Sequence, residues 1–146
     1  MRDYLDVLLQ GRQFKLIKTK AFKSIRDRYG IKQTEIEVLG YLSSLSNNTS
    51  SDVYHDLILN KGHVSQSTIR LRNLGFLSIH QHPTDKRSCI FSLTEKGHSV
   101  ADEIAQVRHN VFLSLLKGFT KQQQSQLEKL SEKLCQNMEE LEKNPL

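Results

Sequence analysis

Two short sets of residues in this chain carry side chains suited to reading a polyanion. The first is Lys61, His63, Ser65, Gln66, Ile69 and Arg70, which fall within one segment of helical pattern. Glutamine can bond an adenine edge, arginine can fork onto guanine, and serine reaches either phosphate or base. Lys61 and His63 stand at the start of that segment, where free backbone amides and the helix dipole favour phosphate. Ile69 has two readings, a half-buried filler or a contact for a thymine methyl. The second set is Asp85, Lys86 and Arg87, in a polar stretch that opens with Pro83 and Thr84 and is rich in turn-forming residues.

Such side chains are useful only if rigid elements present them. Val64, Ser67, Thr68, Leu71 and Leu74 fall three and four apart, which predicts a helix with a narrow inward face. Ser65, Gln66, Ile69, Arg70, Arg72 and Asn73 are left on the other side. Asn60 precedes the helix where its side-chain oxygen can cap free amides, and Gly75 follows where a left-handed residue would end it. Phe76, Leu77 and Ile79 begin a strand, Ile90, Phe91 and Leu93 form its return, and Thr94 caps a further helix. In that order these are the parts of a winged helix-turn-helix: a helix that fits a DNA major groove, followed by a hairpin that reaches the neighbouring minor groove. The expected fold class is mainly α with a small β-hairpin wing.

The segment resembles the MarR family of bacterial transcriptional regulators. Val64-Ser65 early in the helix, Leu74-Gly75-Phe76-Leu77 at its end, Asp85-Lys86-Arg87 between the strands and Leu93-Thr94-Glu95-Lys96-Gly97 beyond them carry the likeness, and Ser51-Asp52-Val53 matches the start of the preceding helix in one branch. The resemblance implies that Arg87 enters the minor groove, that Asp85 orients it, and that Lys86 adds a phosphate contact. A narrow minor groove concentrates negative potential, and a guanidinium fixed by a carboxylate enters it at lower ordering cost. Lys32 departs from the family, which favours a small hydroxyl residue there. Lysine cannot accept an amide hydrogen bond, so capping of the next helix is expected to pass to Gln33 or Thr34.

The chain has 146 residues, a formal charge of +5 and no apolar run long enough to span a membrane. One soluble, cytoplasmic, MarR-like domain is expected over residues 1–146, without a secretory signal or membrane contact. Residues 1–30 hold eight Lys or Arg, a stripe that reads either as a solvated helix face or as a contribution to the field that draws DNA in. Helices are expected at about 3–28, 33–45 and 51–58, the second with Ile36, Leu39 and Leu42 inward. From Glu95 a helix continues through Val100, Ile104, Val107, Val111 and Leu115 to a break at 118–120. The last helix carries Leu127, Leu130, Leu134, Met138 and Leu141, spaced three, four, four and three as in a coiled-coil seam.

A DNA-binding lobe over 31–97 leaves little apolar surface for that seam, so a second copy of the chain is its natural partner. The first helix offers Leu5, Leu8, Leu9, Phe14 and Ile17, and in the family the first and last two helices of two chains clasp each other. Residues 1–30 and 98–146 are accordingly expected to form a helical dimerisation region. A two-fold homodimer sets two recognition helices in major grooves centred about 10 base pairs apart, on double-stranded DNA with an inverted-repeat operator.

Control of binding is less legible. The resemblance implies a small organic effector in a cleft between the dimer helices and the winged lobe, and repression as the commoner mode. Cys89 and Cys135 read as structural thiols rather than redox sensors, with no disulfide expected in the cytoplasm. His80 and His82 share a strand face near Cys89, but no further ligand is placed to complete a zinc site. No cofactor is expected, and the absence of a phosphate loop or an activated nucleophile argues against an enzyme. The alternative from another class is an architectural DNA-binding dimer with little sequence preference and no effector.

Overall fold

The computed structural model describes residues 11–44, 48–57 and 59–146. It divides the chain into two compact units, residues 1–109 and 110–146. The expected first helix is described only from residue 11, so Leu5, Leu8 and Leu9 lie outside the described residues, as does Ile58 at the expected end of the third helix.

Among the described residues the first unit begins with α1 (Gly11–Ala21) and α2 (Lys23–Tyr29), where a single helix was expected. The interruption is Phe22, whose ψ of 4° opens the turn while its ring is buried. Gly30, at φ 64°, ends α2 in the left-handed conformation that glycine adopts without a Cβ clash. Helix α3 (Gln33–Ser44) buries Ile36, Val38 and Leu39, with Leu42 half-buried beside them. Neither Gln33 nor Thr34 caps it. Instead the backbone N–H of Lys32 donates to the Glu35 carboxylate at 2.8 Å, the reach-back half of a capping box, which does not depend on the type of side chain at 32.

Helix α4 (Ser50–Asp56) has a complete capping box between Thr49 and Asp52, and α5 (Lys61–Asn73) is capped by Asn60, whose side chain accepts from the His63 amide at 2.8 Å. The inward face of α5 is the expected one: Val64, Ser67, Thr68 and Leu71 are buried and Leu74 is half-buried. Gly75 (φ 84°) turns the chain into β1 (Leu77–Gln81), which pairs antiparallel with β2 (Cys89–Leu93) from Leu77 opposite Leu93 to Gln81 opposite Cys89.

The hairpin is tied to α4 as well. The Phe91 amide donates to the Asn48 carbonyl at 2.8 Å and the Cys89 amide to the Ser50 hydroxyl at 3.1 Å. Helix α6 (Glu95–Leu115) begins against this scaffold. Thr94 Oγ1 accepts from the Gly97 amide at 3.0 Å and donates to the Gly75 carbonyl at 2.6 Å, so one hydroxyl caps α6 and pins the turn that ends α5. Phe22, Ile25, Ile36, Leu39, Val53, Leu71, Phe76, Leu77, Phe91 and Ile104 bring α2 to α6 and the hairpin into one core, to which α1 contributes no buried residue.

The second unit holds the end of α6 and helix α7 (Lys121–Lys143), with Gly118 at φ 85° in the break and a Thr120–Gln123 capping box at the start of α7. No residue of α7 is buried, and its seam residues are 39–66% exposed in the single chain. Among the described residues no helix is long and apolar enough to cross a membrane.

Candidate nucleic-acid interface

Helix α5, helix α4 and the hairpin enclose a groove of about 510 Å³. Lys61, Ser65 and Ile69 line it from α5, and Asp85 and Arg87 from the wing. Five of the nine residues singled out in the sequence are thereby brought together. Ile69 is 42% exposed and borders the groove, so half of its side chain remains available to a ligand. His63 and Gln66 are exposed on α5 and Lys86 on the wing, outside the groove lining.

Arg70 is placed differently. It was expected to face outward, yet its Nε lies 3.2 Å from Glu35 Oε1 and its Nη2 donates to the Gly30 carbonyl at 2.5 Å. The guanidinium therefore points back to the junction of α2 and α3, away from the groove. A carboxylate that is 1% exposed can hold it there because the pair removes an otherwise uncompensated buried charge.

Among the groove residues not chosen from the sequence as contacts are Ser51 and Tyr54 of α4, and Arg72 of α5. Arg72 carried a readable signal, since 61, 65, 69 and 72 repeat at four, four and three residues and form one helical stripe. Tyr54 carried none, because its approach depends on the α4–α5 packing that sets the Lys61 ammonium 5.5 Å from the centre of its ring.

The wing tip is shaped by local bonds. Asp85 Oδ1 accepts from the Arg87 backbone amide at 3.0 Å, so the carboxylate acts on Arg87 through its main chain. His82 Nδ1 accepts from the amides of Thr84 and Asp85 at 3.2 and 3.0 Å. That nitrogen thus serves the turn, and among the described residues no group of three His, Cys, Asp or Glu side chains is arranged to hold a metal ion. Cys89 is half-buried at the groove wall, whereas Cys135 is exposed on α7 in the single chain.

A capped helix packed on a two-helix scaffold, followed by a glycine turn and a hairpin whose tip carries lysine and arginine beside the helix, defines a winged helix-turn-helix DNA-binding protein. Residues 31–97 match the winged helix DNA-binding domain family. Over 115 residues the chain is 31% identical to the HTH-type transcriptional regulator YkoM of Bacillus subtilis (strain 168), covering 74% of this chain and 75% of that protein. It is 25% identical over 117 residues to the transcriptional repressor MprA of Escherichia coli (strain K12), covering 79% and 66%. A MarR transcriptional regulator from Methanosarcina mazei Go1 shares the fold, with a TM-score of 0.76 at 19% identity over 89% of this chain and 91% of that one. The chain belongs to the MarR family of winged-helix transcriptional regulators. These relatives are regulators, not enzymes.

Proposed function

We propose that the protein is a sequence-specific repressor that binds an inverted-repeat operator as a homodimer and releases it on binding a small organic ligand. The observation that carries the reading is the groove itself, whose lining combines the cations Lys61, Arg72 and Arg87 with the polar and apolar groups of Ser65 and Ile69. In this reading Ser65, Gln66 and Ile69 meet base edges in the major groove, Lys61, His63 and Lys86 meet phosphate, and Arg87, on a turn held by Asp85, enters the minor groove. Arg72 joins the phosphate contacts from the same stripe.

Residues 31–97 act as the reading lobe, and residues 1–30 and 98–146 as the helical dimerisation region. The exposed α7 stripe supports this division, because leucines at that spacing in a single chain leave apolar surface that a second copy would cover. Repression is supported by the likeness to a protein named as a transcriptional repressor. Ligand release rests on the family resemblance alone and is tested by screening small aromatic and lipophilic compounds for operator release.

The experiment for the reading as a whole is selection of bound duplexes from random DNA. A two-fold symmetric consensus with half-sites about one helical turn apart is the expected result. Recovery of no consensus, with binding that falls equally steeply with salt on every duplex, would replace it with an architectural role.

A further inference from the structure

We infer that Glu35 is a positioning residue for DNA binding, which sets the recognition helix through Arg70. The inference rests on the DNA-binding reading above and adds to it a residue that touches no DNA. Glu35 is 1% exposed, and both of its oxygens are used: Oε2 accepts from the Lys32 amide at 2.8 Å, and Oε1 faces Arg70 Nε at 3.2 Å.

Arg70 completes the arrangement by donating to the Gly30 carbonyl, in the left-handed turn that ends α2. A cation thus sits at the C-terminal end of α2 and an anion in the first turn of α3, each where the helix dipole favours its sign. The α2 side of this corner is itself fixed, because Tyr29 and Arg28 both bond Glu103 of α6. One side chain of the recognition helix is therefore bolted to a junction held by three other helices. Ile69 and Arg72, its neighbours in sequence, face the groove. Rotation of α5 about its axis would move them and break the Arg70 contacts together.

Two roles for Arg70 predict opposite signs. If it reaches DNA directly, Glu35 competes with the phosphates for it, and removing the carboxylate charge tightens binding. If Glu35 positions the helix, the same change weakens binding. Glu35→Gln suits the test because a single amide oxygen can still accept the Lys32 amide and preserve the cap, while the side-chain amide NH2 it presents to Arg70 is only a donor.

The experiment measures operator affinity and its salt dependence for wild type, Glu35→Gln, Arg70→Met and the double variant, with thermal unfolding of each. Expected are about tenfold weaker operator binding in Glu35→Gln, equivalent to about 1.4 kcal/mol, an unchanged salt slope, and a double variant no weaker than Glu35→Gln alone. Binding by Glu35→Gln equal to or tighter than wild type would overturn the inference. So would a salt slope lowered by about one in Arg70→Met, the signature of a lost phosphate contact. Should Arg70→Met fail to fold with the carboxylate left unpaired, Glu35→Gln and the double variant still decide the sign. A wild type without operator preference would instead overturn the functional reading on which this role stands.

Discussion

Arg87 and Arg72 enter the same groove from different elements, and their losses should look different from the loss of a structural arginine. Arg87→Ala is expected to weaken operator binding by about 1–3 kcal/mol, with helical content and unfolding midpoint unchanged. Arg72→Ala should lower affinity on operator and scrambled duplex alike and reduce the salt slope by about one, as loss of a phosphate contact does. Anisotropy titrations at two or more salt concentrations check both. At this scale the sequence was legible where spacing decides direction: positions 61, 65 and 69 lie on one helical stripe and line the groove together. It was illegible where a long side chain chooses between water and a distant partner. Nothing local to Arg70 reveals a buried carboxylate at position 35, and nothing local to His82 reveals the two amides that its ring accepts.

Where the start of α6 meets the turn into β1, the backbones approach closely at Gly97. A Cβ built on Gly97 would stand 1.9 Å from the Phe76 carbonyl oxygen, a clash with backbone that no rotamer relieves. Gly97→Ala is therefore expected to cost about 3 kcal/mol of stability, read as a lower urea midpoint. Thr94→Val should cost about 1 kcal/mol through the lost cap of α6. Between α3 and α4, the Tyr41 hydroxyl donates to Asp56 at 2.6 Å and, with His55, holds that carboxyl below its ordinary value. A depressed carboxyl contributes stability above its unfolded-state pKa and loses it as pH falls through the lowered folded value. Tyr41→Phe should accordingly flatten the acid limb of the stability profile below about pH 4. The caps at Asn60 and Thr94 and the turn at Gly75 were readable because capping chemistry is local. The Phe22 interruption and the Glu35 cap were not, since each depends on what the fold buries.

For the whole molecule, the seam of α7 was visible as periodicity, and its exposure in one chain is what a partner-seeking face should show. What covers it cannot be read from spacing, because the same leucines would serve an intramolecular or an intermolecular contact. Leu130→Glu, at the most exposed position of that seam, is expected to shift the protein to monomer in sedimentation velocity and to abolish tight binding to a two-half-site operator. The central claim is that this fold reads sequence and does not merely hold DNA. Fluorescence anisotropy of the full-length protein against DNA from upstream of its own gene and against a scrambled duplex, at two salt concentrations, tests that claim most directly. A preference of about a thousandfold or more for the upstream DNA is the predicted result. Equal affinity for both duplexes, falling together as salt rises, would contradict it.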